Sequence, residues 1–84
     1  METQALHQAT RQINATARED RAAQLADLVH EHGGTILAPS AATHMHEVHL
    51  LGVYANGESA EHAAVNWLDV ASRLIPYLLI DVAA

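Results

Sequence analysis

The sequence predicts an α+β domain in the order helix, strand, strand, helix: a two-stranded antiparallel sheet packed against two helices, with a short apolar C-terminal segment. Three observations predict it. An apolar stripe at helical spacing precedes Gly33-Gly34, a β-rich stretch follows it, and a second, stronger helical stripe runs from Ala60 to Ile75. Eighty-four residues are enough for one small domain, expected over residues 1–84. Half the residues are apolar, but many of these are alanine, so the core is expected to be thin.

The first helix has two readings. Thr16 followed by Glu19 fits a capping box, which would start the regular helix at Ala17 and leave residues 1–16 frayed or as a separate helical turn. Alternatively Leu6, Ala9, Ile13 and Ala17 extend the stripe into one long helix from Thr3. In both readings Ala22, Leu25, Leu28, Val29 and His32 share a face, and Gly33-Gly34 stops the helix with one glycine in the left-handed region. Thr35 to Ala38 then reads as a short strand, Pro39 to Ala42 as a turn, and Thr43 to Tyr54 as one longer strand closed by Ala55-Asn56-Gly57.

Ser59 is the expected N-cap of the second helix, with Asn56 the alternative, and Glu58 and Glu61 lie where negative charge favours a helix start. Its stripe contains Ala60, Ala64, Trp67, Leu68, Ala71, Leu74 and Ile75. Trp67 in that stripe is either a core residue or a partner-facing anchor. Pro76 is expected to break or kink the helix after Ile75. Tyr77, Leu78, Leu79 and Ile80 then form an apolar segment that either packs back as a helical turn or strand or makes a dimer contact.

Composition excludes several functions. Four basic residues against ten acidic ones give a formal charge of −6, which opposes direct nucleic-acid binding. The absence of cysteine excludes disulfides, cysteine zinc sites, iron–sulfur centres and a thiol nucleophile. No apolar run is long enough to span a membrane, and METQALHQATRQ has no secretory apolar core, so a cytoplasmic protein without membrane contact is expected. No Lys or Arg stands between Arg21 and Arg73. That stretch carries Asp27, Glu31, Glu47, Glu58, Glu61 and Asp69, an acidic set suited to meeting a basic protein surface.

Six of the seven histidines fall in the same stretch. His44 and His46 share a face if the strand is regular, while His49 points to the other. Zinc takes three or four ligands, so His44, His46 and His49 are candidate ligands only with help from His30, His32 or His62. Neither a metal centre nor a cofactor is expected. No HExxH helix motif and no nucleotide-binding glycine loop is present, and an enzyme is the least expected class.

The stretch from Glu47 to Gly57, running into Ser59–Leu74, resembles the strand–turn–helix of small phage and prophage accessory proteins. Some of these are anti-CRISPR inhibitors. That resemblance implies a protein that binds a CRISPR surveillance complex or its nuclease, blocks DNA recognition or cleavage, and acts in the host cytoplasm. The same stretch is similar to part of the antitoxin fold, which normally places a three-stranded sheet before this helix, whereas here the preceding element reads as largely helical. The expected function is a non-enzymatic protein-binding module. The alternatives are a structural or regulatory homodimer, an antitoxin-like protein, and a histidine-dependent metal-binding protein.

Overall fold

A helix whose apolar face is built largely from alanine can lie very close to a sheet. In the computed structural model this is the organising contact. The structure describes the backbone of residues 2–42 and 44–83 and the side chains of residues 4–42 and 44–75. Helix α1 (Glu2–Ala15) and a 3₁₀ turn (Arg18–Asp20) lead into helix α2 (Arg21–His32). Three strands follow, β1 (Thr35–Leu37), β2 (His46–Leu50) and β3 (Val53–Gly57), and then helix α3 (Ala60–Ala83). The strands form one antiparallel sheet in the order β1-β2-β3.

The α+β class therefore holds, but the sheet has three strands rather than two. The expected single strand from Thr43 to Tyr54 folds back on itself at Leu51-Gly52. Both residues have positive φ, 52° and 80°, as a two-residue hairpin turn of mirror-image type requires. Leu50 pairs with Val53 across this turn, and the register continues to His46 with Gly57. Val48, Leu50, Val53 and Ala55 consequently share one buried face. Leucine is an unusual residue for the left-handed region, where a side chain costs about 1–2 kcal/mol. Leu51 is partly buried against the core, and that burial offsets the cost.

The N-terminal half contains two helices rather than one, and the capping box is absent. The Thr16 hydroxyl bonds back to the Gln12 carbonyl (2.7 Å), as a residue following a helix does. Helix α2 begins only at Arg21, after Asp20, which makes no side-chain cap bond. Arg21 performs the junction's polar work instead. Its Nε donates to the carbonyls of Ile13 and Thr16 (3.1 Å each), and its Nη2 donates to that of Asn14 (3.3 Å). The guanidinium thus caps the open C-terminal carbonyls of α1 from the first residue of α2. Gly33 closes α2 in the left-handed region (φ 74°), as expected.

Helix α3 rests on β3 and β2 and also packs against α1 and α2. Trp67 is fully buried (0% exposed), which makes it a core residue and not a partner-facing anchor. Its Nε1 donates to the Leu50 carbonyl (3.3 Å). Ala63, Ala64 and Ala71 are buried beside it. Pro76 does not end this helix, which continues to Ala83. Proline removes one main-chain bond, the one to the Ser72 carbonyl, and Ser72 is exposed so that water can take its place. The backbone of Tyr77–Ile80 belongs to the same helix rather than to a separate turn or strand. The expected dimer contact of those side chains lies outside the described residues.

Two substitutions test these joints. A Cβ on Gly57 would stand 2.4 Å from the Ala63 backbone nitrogen, so α3 would have to lift off the sheet. Gly57→Ala should lower stability by about 1–3 kcal/mol, read by urea denaturation with an unchanged slope. Arg21→Ala should cost about 1–3 kcal/mol through the uncapped α1 carbonyls, with Arg21→Lys recovering part of the loss.

Candidate functional site

The side of the sheet turned away from the helices is open. Alternation along the strands places Thr35 and Leu37 of β1, Glu47 and His49 of β2, and Tyr54 and Asn56 of β3 on it. Leu37 and Tyr54 are half exposed, at 52% and 50%. Register sets Leu37 directly beside Glu47 and Tyr54 directly beside His49. The Tyr54 hydroxyl reaches diagonally to donate to Glu47 Oε1 (2.7 Å), and Asn56 Nδ2 donates to that same hydroxyl (3.4 Å). One carboxylate oxygen is thereby fixed, and Glu47 lines a depression of about 190 Å³. Thr35, Leu37, Val48, His49 and Tyr54 line it with Glu47.

The six acidic candidates do not gather into one patch. Glu31 lines a depression between α1 and α2, and Asp69 one between α1 and α3. Glu61 lies with Arg18 and His62, and Glu47 lies on the sheet. Asp27 and Glu58 are exposed on α2 and before α3. Asp69 pairs with Arg73 one turn along α3 (3.1 Å), a solvent-exposed pair that contributes little stability. The acids therefore face several directions and give the exterior a general negative bias.

The histidines are similarly dispersed. His44 lies before β2 with positive φ (56°), so it does not share a strand face with His46, contrary to the sequence expectation. His46 lies on the helix-facing side of β2 and His49 on the open side. Among the described residues no group of three or more His, Asp or Glu is placed to hold a metal ion. His62 has a local task. The Glu58 amide donates to its Nδ1 (3.2 Å), while the His62 amide donates to Ser59 Oγ (3.0 Å). This reciprocal arrangement caps α3 much as a capping box would, with histidine in the usual glutamate position. It confirms Ser59 as the N-cap.

Sequence reasoning selected Glu47 but not its companions Thr35, Leu37 and Tyr54. The signal that reveals them is Gly52. Once the chain reverses there, Tyr54 comes beside His49 and diagonal to Glu47. Comparison with protein-family models, with curated proteins and with solved structures finds no match for the chain.

Removing the hydroxyl that steadies Glu47 should have a small energetic effect, because the pair is exposed. Tyr54→Phe should destabilise the fold by about 0.5–1 kcal/mol in urea denaturation, with the circular dichroism spectrum unchanged.

Proposed function

We propose that this chain is a non-enzymatic protein-binding module. In its concrete form it is an inhibitor of anti-CRISPR type that binds a CRISPR surveillance complex or nuclease and blocks DNA recognition or cleavage. The observation that carries the reading is the open sheet face, where Leu37 and Tyr54 stand exposed around a fixed carboxylate. Aromatic and apolar side chains around a polar centre are the usual makings of a protein contact. The acids support the same reading. They are distributed over α2, the sheet and α3, and apart from the Asp69–Arg73 pair and Arg18 near Glu61 they stand in a stretch without Lys or Arg. A field of that sign draws the chain toward a basic surface such as one that holds nucleic acid.

The direct test is binding of the chain to a purified surveillance complex at increasing salt. Affinity should fall as salt rises. The combined variant Glu31→Lys, Glu47→Lys, Glu58→Lys and Glu61→Lys should bind at least about 100-fold more weakly, with folding checked by circular dichroism. Unchanged binding by that variant would remove the electrostatic mechanism, and no binding by the wild-type chain would remove the proposed target.

A further inference from the structure

The two edges of the sheet are treated differently. At the β3 edge, α3 reaches over and Asn66 Nδ2 donates to the Asn56 carbonyl (2.7 Å). The β1 edge receives no comparable bond among the described residues. Which of its groups are free follows from the register. In a two-residue hairpin the closing residues, here Leu50 and Val53, exchange both main-chain bonds. Alternation then directs the main-chain groups of His46, Val48 and Leu50 toward β3, and those of Glu47 and His49 toward β1. Thr35 and Leu37, which pair with His49 and Glu47, use their own groups on β2. The N–H and C=O of Ile36 therefore point outward together.

The Ile36 side chain is free as well. It pairs with Val48 and belongs to the helix-facing layer, yet it is 45% exposed while Val48 is buried. Helix α3 lies over β3 and β2, and although α2 also meets β1 and β2 the inner layer is left incomplete at Ile36. Edge strands usually carry a charge that discourages further pairing, but Thr35-Ile36-Leu37-Ala38 has none.

We propose that the β1 edge receives an extended basic segment of a partner protein. The segment adds as a fourth strand at Ile36 and lays an arginine or lysine side chain into the depression that Glu47 lines. This proposal rests on the protein-binding reading and names the partner's chemistry. The residue opposite Ile36 would exchange both main-chain bonds with it and place an apolar side chain on the unfinished inner layer. Its two neighbours would project onto the open face beside Thr35 and Leu37. From there, about 10 Å or two strand spacings from β2, a long cationic side chain can cross the edge strand toward the carboxylate. Leu37 and Tyr54 flank that path, and the Tyr54 ring suits a guanidinium. Charge complementarity selects this occupant. The open face carries a carboxylate and neither Lys nor Arg, because all four basic residues of the chain lie outside the sheet. A second copy adding through its own β1 would bring another net charge of −6 and no Lys or Arg within Thr35-Ile36-Leu37-Ala38 to meet Glu47.

The probe is a fluorescent heptapeptide alternating arginine and valine, followed by anisotropy against the full chain. Saturable binding is expected. It should weaken at least about tenfold in Glu47→Gln, and also when every valine of the peptide is N-methylated, a change that keeps the charge but removes the strand-forming amides. Ile36→Pro should abolish binding while leaving the ladder to β2 intact, since the lost N–H faces outward. If that variant fails to fold, the methylated peptide still decides the matter. Equal affinity for the methylated peptide, indifference to Glu47→Gln, absence of binding, or a chain that sediments as a dimer through β1 and excludes the peptide would each overturn the proposal. The two readings fail separately. If the surveillance complex binds Ile36→Pro as well as wild type, the β1 site is wrong and the function stands. If the peptide behaves as expected but the complex does not bind, the site stands and the target is wrong.

Discussion

The seating of α3 on the β2–β3 hairpin determines most of what this protein presents to its surroundings. Trp67 supplies the bulk of the contact and fastens it with a bond to the Leu50 carbonyl. Ala63, Ala64 and Ala71 let the helix axis come near, and Gly57 removes the last side chain that would hold the helix start away. A helix so close to one hairpin has little reach beyond it. It covers β3 and β2, and its Asn66 even closes a carbonyl at the outer edge of β3. The outer side of β1, its free edge and the far face of the sheet are then left to solvent or to a partner. Burial at one end of the sheet and exposure at the other share one geometric cause.

The parts of the fold that the sequence made legible are those governed by short-range chemistry. Ser59 caps α3, Gly33 turns left-handed after α2, and Ala64, Trp67, Ala71 and Ile75 of the expected stripe are buried while its Ala60 and Leu74 are exposed. Each depends on a residue type with a strong local preference. The third strand was hidden because Leu51-Gly52 lacks the Asn-Gly or Asp-Gly signature that announces a tight hairpin. Leu51 accepts an unfavourable backbone region in exchange for burial, a trade visible only once the core is assembled. The false capping box at Thr16 has a similar origin. Its local pattern was sound, but Arg21 makes three bonds to the end of α1, and the chain instead breaks around that guanidinium. In the sequence Pro76 signals a stop because it removes a main-chain bond. With Ser72 exposed, that loss is small enough for the helix to continue.

The site was legible only in part, for a related reason. Counting acids identified Glu47 together with five others, yet the six are chemically equivalent in sequence and quite different in place. Asp69 is matched with Arg73, and Asp27, Glu31, Glu58 and Glu61 stand on helices or at a helix start with solvent around them. Such charges add to the long-range field, and that field speeds an encounter more than it selects a partner. Glu47 differs because its orientation is set by Tyr54, which is itself positioned by a hairpin the sequence did not announce. Specificity requires a held geometry, and among these acids Glu47 has the clearest one.

The edge of β1 follows from the same division of labour. Three residues pair with β2, and by register the middle one faces away with both of its main-chain groups. Brevity makes the edge safe, because one free pair is a poor template for indiscriminate aggregation. A partner must therefore add something beyond main-chain bonds to remain bound. The unfinished layer at Ile36 and the carboxylate at Glu47 offer two additions on opposite faces of the sheet, and an extended strand reaches both by simple alternation of its side chains. A helix presents its side chains at a different period and cannot match that pair of sites while meeting the Ile36 amide and carbonyl. The shortness of β1 is thus what turns an otherwise permissive edge into a selective one.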